Sequence, residues 1–506
     1  MAGFKLKKTA LLSTWDKEKL ETLANALLKK GYSILATGGT ANYLEKYGLP
    51  ITRLESITGF KELLNGRVKT LHPKVFSGIL APSEESLTED EKETIPLIDI
   101  VACNLYPYWD YRENSGKEIA TDFIDIGGSA LIRAAAKNFK RVSILVDPDD
   151  YDEFIENLET DSISIEYRLS LAAKAFQYVS WYDSIIASDF IKKSGLREND
   201  KLSIPGILES KLRYGENPHQ KGWYYLHPGK NSFFKQLHGK QVSYNNLLDF
   251  TQGLRLINQF DKPACAIMKH TNPCGFAVAD DIETAFNWAF ATDQLSAYGS
   301  IMVFSHPITY SLAEKLHAMF VDGILAPRFE REAFELLAKK KKIMLCEISY
   351  PFNLPDYEVS TVPNGFIIQE ADKYELKLED IEIVSERKPT EEELKDLFFA
   401  WKICKVVKSN AAVVAKGTRA YGIAGGATSR IDAVRQACLK AGDRCQGAVL
   451  ASDAFFPFRD SVDHAASRGI TAIMAPKGSI RDPESIQAAN EHGIALIFSR
   501  IRGFKH

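Results

Sequence analysis

Short apolar segments alternate with amphipathic ones along the first part of the chain. The apolar segments KTALLST, YSILATGG and LPITRLES predict strands, while DKEKLETLANALLKKG and TANYLEKYG repeat apolar residues at helical spacing. The pattern continues through IDIVACNLYP, GGSALIRAAAKN and RVSILVDPDDYDEFIENL and ends in a long helical segment around IEYRLSLAAKAFQYVSWYDSIIASDFIKKSG. This alternation predicts an α/β fold with a mostly parallel sheet and helices on its faces.

We place the end of the first domain near Gly195, so that it covers residues 1–195. The stretch LRENDKLSIPG carries charge, Pro and Gly without apolar periodicity, which is typical of a linker, and we assign residues 196–205 to it. Residues 206–506 are long enough for a second α/β region with two halves. A capping box at Thr390 and Glu393 predicts a helix near the start of the second half, which begins near 365–390. No tandem repeat is visible.

Composition narrows the class of protein. The chain has 506 residues, 45% of them hydrophobic, and a formal net charge of −3, which gives no general attraction to nucleic acid or anionic membranes. Seven cysteines without C-x-x-C spacing argue against a disulfide framework and for a reducing compartment. No apolar run is long enough for a membrane helix, and MAGFKLKKTALLSTWDKEKL reaches charged residues too early for a signal peptide. We expect a cytoplasmic protein that handles small molecules and binds neither nucleic acid nor membrane.

A glycine-containing turn in ILATGGTANYL indicates a possible anion site. An apolar strand runs into TGGT and then into a helix whose predicted N-cap is Thr40. Glycines let the backbone approach an anion, and the first N–H groups of a helix donate to it. A tight turn without a ligand fits the same residues, and the motif alone favours neither interpretation.

Polar residues in three further motifs favour a phosphate site. GRVKTLHP puts Arg67 and Lys69 on one face of an extended segment, next to Thr70. CNLYP adds Asn104 and Tyr106 at a strand end, where open α/β sheets bind ligands. IDIGGSALIRAAAKN repeats the order of strand, glycine and helix, with Asp125 at the loop and Lys137 about three turns along the helix. Each motif alone is more often structural, and together they converge on one site.

Lys269 and His270 follow a short apolar strand in ACAIMKHTNPCG. The turn is expected at Asn272-Pro273 with Gly275, so that both side chains reach one substrate where the strand ends. A histidine takes up a proton near neutral pH, and a neighbouring lysine stabilises developing negative charge. The alternative is a solvated strand end with no chemical role.

The loop LRYGENPHQ concentrates Arg213, Tyr214 and His219, which suit a phosphate and its attached ring. Further candidates are Asn410, Arg430, the aromatic SDAFFPFRD and the terminal RIRGFKH. The histidines and cysteines have no metal-ligand spacing, so no metal is expected.

These motifs resemble those of one enzyme family over essentially the whole chain. TGGT, GRVKTLHP, CNLYP, IDIGG with RAAAKN, LRYGENPHQ, KHTNPCG, SDAFFPFRD and RGFKH occur in the family's order. The family is that of the bifunctional purine biosynthesis enzymes, which combine AICAR formyltransferase and IMP cyclohydrolase. The resemblance implies the last two steps of IMP biosynthesis.

For the first domain the resemblance implies a methylglyoxal-synthase-like, Rossmann-like fold that closes the ring of FAICAR to give IMP and water. Ring closure is intramolecular, so positioning contributes most. The implied proton-transfer residues are Lys69, Tyr106, Asp125 and Lys137. The implied substrate-binding residues are Ser13, Lys17, Thr37, Gly38, Gly39, Thr40, Arg67, Thr70, Asn104, Ile126 and Gly127.

For residues 206–506 it implies two cytidine-deaminase-like halves without zinc, which transfer a formyl group from the co-substrate 10-formyltetrahydrofolate to the 5-amino group of AICAR. His270 would remove the amine proton, Lys269 would stabilise the oxyanion or help protonate the leaving nitrogen, and Asn410 would orient the formyl oxygen. The implied AICAR-binding residues are Arg213, Tyr214, His219, Gly299, Asp322, Phe455 and Arg502. The implied folate-binding residues are Arg430, Asp460, Ser479 and Ile480. A homodimer with transferase sites across its interface is also implied.

Three segments depart from the family's usual sequences. STWDKEK puts Trp15 where the usual SVSDKTG has a small serine, which bears on the phosphate contact. GIAGGATSR replaces the usual GAGQMSR but keeps Arg430, and AYGSIMVFS keeps Gly299. The alternatives are a chain that retains one activity only and a nucleotide-sensing protein without catalysis. Retention of the proton-transfer residues argues against both.

Overall fold

The structure, a computed structural model, describes residues 8–60, 69–112, 119–195, 201–351 and 355–506. The chain forms two compact units, one of Met1–Ile207 with Leu226–Lys230 and the other of Leu208–Tyr225 with Asn231–His506. Both units alternate strands with helices, so the predicted α/β class is confirmed. None of the helices among the described residues is long and apolar enough to cross a membrane.

The first unit contains a five-stranded parallel sheet in the order β3-β2-β1-β4-β5. Its strands are β1 Thr9–Ser13, β2 Ser33–Ala36, β3 Ile51–Arg53, β4 Ile98–Cys103 and β5 Ser143–Leu145. Its helices are α1 Leu20–Lys29, α2 Gly38–Lys46, α3 Leu54–Thr58, α4 Pro73–Leu80, α5 Glu89–Thr94, α6 Tyr108–Arg112, α7 Ile126–Lys137, α8 Tyr151–Glu159 and α9 Ile165–Ser194. Leu11, Leu12 and Val101 are fully buried because helices cover the sheet, which explains the continuous apolar runs.

The predicted start of α2 was wrong. The helix begins at Gly38, and the extended Thr37 is its N-cap. The Thr40 hydroxyl lies inside the first turn, where it accepts from the backbone N–H of Thr14 over 3.1 Å and lies 3.1 Å from the Thr14 carbonyl. The TGGT segment therefore places two glycine N–H groups at the start of the helix.

The second unit is built on a twelve-stranded mixed sheet in the order β16-β21-β20-β19-β17-β18-β10-β9-β11-β12-β13-β8. Its strands are β8 Phe234–His238, β9 Ala264–Lys269, β10 Asn272–Val278, β11 Ile301–Phe304, β12 Gly323–Ala326, β13 Met344–Ile348, β16 Ile381–Ile383, β17 Ala412–Lys416, β18 Arg419–Ala424, β19 Val449–Ser452, β20 Ala472–Pro476 and β21 Ala495–Ser499. Two further sheets have two strands each, β6 Ile207–Lys211 with β7 Trp223–Leu226 and β14 Tyr357–Val362 with β15 Gly365–Glu370.

The helices of the second unit pack on both faces of this sheet. They are α10 Tyr244–Ile257, α11 Ile282–Phe290, α12 Tyr310–His317, α13 Arg331–Leu337, α14 Glu391–Cys404, α15 Arg430–Ala441, α16 Asp460–Ser467 and α17 Asp482–His492. The predicted capping box at the start of α14 is confirmed, with reciprocal hydrogen bonds between Thr390 and Glu393.

The twelve-stranded sheet is an internal repeat. Counted outward from the β10–β18 pair, each half contains five successive pairs of neighbouring strands. In both halves these pairs are, in order, antiparallel, antiparallel, parallel, parallel and antiparallel. The order of strands and helices along the chain is also the same in both halves. The turn KHTN of the first half corresponds to KGTR of the second, which makes Lys269 equivalent to Lys416 and His270 equivalent to Gly417.

The β14–β15 hairpin joins the two halves and exposes apolar side chains. Tyr357, Phe366 and Ile367 are each more than half exposed. Glu358 on the same hairpin forms ion pairs with Arg255 of α10 and with Lys505 near the C-terminus. Burial alone would raise the pKa of Glu358, but the two cations hold it at about 2. The hairpin is therefore tied to the second unit at its base.

Candidate active sites

The first candidate site lies where the carboxyl ends of β1, β2 and β4 meet. The Asn104 side-chain oxygen accepts hydrogen bonds from the backbone N–H groups of Trp15 (2.6 Å) and Asp16 (2.9 Å). The Ser13 and Thr37 hydroxyls share a hydrogen bond of 3.0 Å. The segments after these three strands are therefore held together at one edge of the sheet, as the sequence predicted for a ligand site.

Lys17 is the central cation of this site. Its ammonium group donates to the Thr14 carbonyl and lies 3.2 Å from the Trp15 carbonyl and 3.4 Å from the Thr40 hydroxyl. Burial, followed by repulsion from Lys69, lowers the pKa of Lys17 to about 8. Two cations held close together in this way are relieved by an anion, so the arrangement suits a phosphate.

Asp125 supplies a carboxyl group that interacts with Lys69. It caps α7 by accepting a hydrogen bond of 2.7 Å from the Gly128 N–H. Burial raises its pKa, while the Gly128 N–H and Lys69 oppose the shift. Thr70 packs against Gly127 so closely that a β-carbon at Gly127 would lie 2.5 Å from the Thr70 hydroxyl. Lys69, Thr70, Asp125 and Gly127 are thus brought together.

Two tyrosines that the sequence analysis missed hold the loops of this site. The Tyr182 hydroxyl donates to the Phe123 carbonyl and accepts from the Asp125 N–H, both over 2.9 Å. The Tyr178 hydroxyl accepts from the Leu105 N–H over 3.1 Å. The signal in the sequence was their spacing of four residues on the buried face of a long helix, which lets both reach the same sheet edge.

The structure does not bring Lys137 to this site. Lys137 is exposed on the last turn of α7, and a rise of 1.5 Å per residue puts it about 18 Å along the helix from Asp125. Lys137 is therefore not grouped with Asp125 within one chain, and its part in proton transfer stays a prediction. Ile126 is 62% exposed at the start of α7, and Arg67 lies outside the described residues.

The second candidate site lies along one edge of the twelve-stranded sheet, here called the shared edge. The strand directions place the carboxyl ends of β8, β9, β18, β19, β20 and β21 and the amino ends of β11, β12 and β17 on this edge. The sequence-predicted residues that adjoin these strand ends are Lys269, His270, Gly299, Asp322, Asn410, Arg430, Phe455, Asp460, Ser479, Ile480 and Arg502. Residues far apart in the sequence therefore share one edge.

His270 occupies a two-residue hairpin turn between β9 and β10. Its φ is 53° and that of Thr271 is 65°, which is the left-handed conformation that tight hairpins use. The prediction of a turn at Asn272, Pro273 and Gly275 was wrong, because these residues lie in β10. The equivalent residue of the second half is Gly417, which has a φ of 59°. Glycine adopts this left-handed conformation without strain, whereas a residue with a β-carbon such as His270 adopts it at a conformational cost.

Asp249 and Asn272, both missed by the sequence analysis, hold this turn. The Asp249 carboxylate accepts a hydrogen bond of 2.6 Å from the Thr271 N–H, and burial raises the pKa of Asp249. Asn272 donates to the His270 carbonyl over 3.3 Å and accepts from the Lys408 N–H over 2.9 Å. Asn272 thereby connects the His270 turn to the segment that carries Asn410.

Lys269 and Asp322 lie on the side of the shared edge formed by the first half. The Lys269 ammonium donates to the Tyr298 carbonyl over 2.7 Å, next to Gly299, whose φ is 66°. The Asp322 carboxylate accepts from the Lys240 ammonium, and the Asn246 amide lies 3.5 Å away. Both side chains remain only partly buried at the edge.

Arg430 is buried at the amino end of α15. Its guanidinium donates to Asp453, to the Ala411 carbonyl and Ser452 hydroxyl over 3.0 Å each, and to the Asn410 side-chain oxygen over 2.5 Å. These donors are directed at the protein, and the predicted folate contact of Arg430 stays a prediction. The network fixes the side chain of Asn410.

The other predicted residues lie towards the two ends of the shared edge. Arg213 donates to the Tyr214 hydroxyl over 2.8 Å, and backbone hydrogen bonds connect Arg213 to Val242 and Tyr214 to Tyr244 at the start of α10. His219 is exposed in the same loop. Phe455 lies beside Gly478, which precedes the partly exposed Ser479 and the fully exposed Ile480, and Asp460 begins α16. Arg502 is exposed and precedes Gly503, whose N–H donates to the Asp453 carbonyl.

The two candidate sites lie in different units of an α/β chain, as in an enzyme with two activities. A family model described as AICARFT/IMPCHase bienzyme matches residues 135–440, and one described as an MGS-like domain matches residues 19–128. The chain belongs to the AICARFT/IMPCHase bienzyme family. The expected function is confirmed, namely AICAR formyltransferase with IMP cyclohydrolase, the last two steps of IMP biosynthesis.

Relatives of the chain match it over nearly its whole length. A bifunctional purine biosynthesis protein PurH from Persephonella marina is 43% identical over 99% of this chain and 100% of that protein. One from Aquifex aeolicus is 44% identical over 98% and 100%. One from Caldicellulosiruptor saccharolyticus is 42% identical over 99% and 100%.

Proposed function

We propose that the first unit closes the ring of FAICAR through the residues grouped around Lys17 and Asp125. Lys17, Lys69 and the N–H groups at the start of α2 hold the phosphate, and Asn104 keeps the surrounding segments in place. Lys69, Tyr106 and Asp125 move protons as the carboxamide nitrogen attacks the formyl carbon and water leaves. The supporting observation is that Lys69 interacts both with Lys17 and with the partly buried Asp125 carboxyl group, whose pKa is raised by burial.

We infer that His270 is the general base of formyl transfer in the second unit. His270 removes the proton from the 5-amino group of AICAR, and Lys269 stabilises the charge that develops on the formyl oxygen. The supporting observation is that a histidine occupies a left-handed turn position where the equivalent residue is Gly417. Side chains held in such conformations cluster at active sites. Asn410, oriented by Arg430, directs the formyl oxygen.

We propose 10-formyltetrahydrofolate as the formyl donor. Asp460, Ser479 and Ile480 bind it at the exposed end of the shared edge, and Arg430 positions Asn410. AICAR is bound by Arg213, Tyr214, His219, Gly299, Asp322, Phe455 and Arg502. The Arg213 Nε group supports this, since it is buried without a hydrogen-bond partner in the described residues and is suited to a phosphate.

We propose that the protein is a cytoplasmic homodimer and that its transferase sites combine residues of two subunits. The exposed apolar β14–β15 hairpin supports an interface with a second copy. Five strand spacings, about 24 Å, separate β9, which ends in Lys269, from β20, which precedes Ser479. Because these predicted residues lie so far apart along the edge of one subunit, the arrangement supports sites that combine two subunits. Seven free, buried cysteines fit a reducing compartment. We also propose residues 196–205 as the linker, of which 196–200 lie outside the described residues, and a second half that begins near 365–390.

A single assay tests the function. The purified chain is given AICAR and 10-formyltetrahydrofolate, and FAICAR and IMP are measured separately over time. We expect FAICAR to form first and IMP to follow. Formation of FAICAR without IMP would leave one activity only, and tight binding of nucleotide without either product would indicate a sensor.

A further inference from the structure

Trp15 is an aromatic side chain placed among the ligand-binding segments of the first unit. Its backbone N–H donates to Asn104 over 2.6 Å, and its carbonyl lies 3.2 Å from the Lys17 ammonium. Its indole packs edge-on against the Tyr106 ring, with 5.0 Å between ring centroids. The backbone is thus fixed on both sides, and the indole stands next to a proposed proton-transfer residue.

Trp15 is 45% exposed, so part of its indole is open to a ligand beside Lys17 and Tyr106. Lys17 and the start of α2 already provide the donors that a phosphate requires. The exposed indole is therefore available to the part of the ligand that carries no charge.

We propose that Trp15 forms an aromatic wall against which the heterocycle of FAICAR and of IMP packs. This inference rests on the proposed cyclohydrolase site and adds the residue that recognises the base. Tyr106 contacts the indole at 5.0 Å between ring centroids and restricts its rotation. Stacking between a base and an aromatic side chain tolerates different bases, so the wall serves both substrate and product.

Two ligands separate this role from a general effect on the site. IMP carries the base, sugar and phosphate, whereas ribose 5-phosphate lacks the base. We expect Trp15→Ser to weaken IMP binding about tenfold, the size of a typical lost stacking contact. We expect binding of ribose 5-phosphate to be unchanged. Trp15→Phe keeps a ring and should retain most of the affinity for IMP. Both affinities are measured by calorimetry on the full chain.

A spectroscopic readout makes the test independent of affinity. Binding of IMP should quench tryptophan fluorescence in the natural chain, and Trp15→Phe should remove that quenching. Formyl transfer in the second unit serves as the control for correct folding. Equal weakening of IMP and ribose 5-phosphate by Trp15→Ser would overturn the proposal, as would unchanged IMP binding or undiminished quenching in Trp15→Phe. A natural chain that neither binds IMP nor cyclises FAICAR would refute the cyclohydrolase assignment itself.

Discussion

Replacement of His270 by glycine is expected to stabilise the second unit while it abolishes formyl transfer. The left-handed region costs a residue with a β-carbon about 1 kcal/mol, and His270 has a φ of 53°. Gly417 shows that the repeat accommodates glycine at this turn with a φ of 59°. His270→Gly should therefore raise the free energy of unfolding by about 1 kcal/mol, or the melting temperature by roughly 2 °C. Loss of the general base should lower kcat for transfer by about 10²–10⁴-fold.

Two control variants separate the base from the backbone conformation. His270→Ala removes the imidazole but keeps a β-carbon, so it should lose the same activity without gaining stability. Gly417→His places a residue with a β-carbon in the left-handed conformation of the equivalent turn. This variant should lower the free energy of unfolding by about 1 kcal/mol. Stability is followed by urea unfolding and transfer by the formation of FAICAR. A His270→Gly chain that is less stable than the natural one, or that still transfers formyl at a near-natural rate, would refute the reasoning.

Three further predictions concern groups that hold the two sites. Asp249→Ala leaves the Thr271 N–H without its acceptor, which should destabilise the turn that holds His270 by about 1–3 kcal/mol and lower kcat for transfer. Asp249→Asn keeps an acceptor at this position and should retain most of the rate. Because Lys17 is charged only below its pKa of about 8, kcat/KM for cyclisation of FAICAR should fall as the pH rises through 8, and Lys17→Arg should remove that fall. Arg430→Met leaves Asp453 as an unpaired buried charge and should cost about 3–5 kcal/mol by urea unfolding, which Arg430→Met with Asp453→Leu should partly restore. An unchanged kcat in Asp249→Ala, a flat pH profile or full stability in Arg430→Met would contradict the respective assignment.

The alternation of strands and helices could be predicted because it depends on local patterns. The apolar runs before TGGT and after Pro263 are buried strands, and the capping box at Thr390 begins a helix. Each of these signals lies within a few residues of the element it describes. The sequence therefore predicted most of the elements of both units.

Long-range relations could not be read from the residues in the same way. The internal repeat is expressed in strand order, while the shared sequence at its turns is as short as KHTN and KGTR. Burial of Arg430 depends on Asp453, which follows a different strand. The position of Lys137 depends on the length of α7, which places it far from Asp125.

The most direct test of the account compares Lys69→Ala with His270→Ala in chains supplied with AICAR and 10-formyltetrahydrofolate. One reaction is assigned to each unit, so Lys69→Ala should accumulate FAICAR without IMP. His270→Ala should form no FAICAR yet still convert supplied FAICAR to IMP. Loss of both activities in either variant, with the chain still folded, would contradict the assignment of one reaction to each unit.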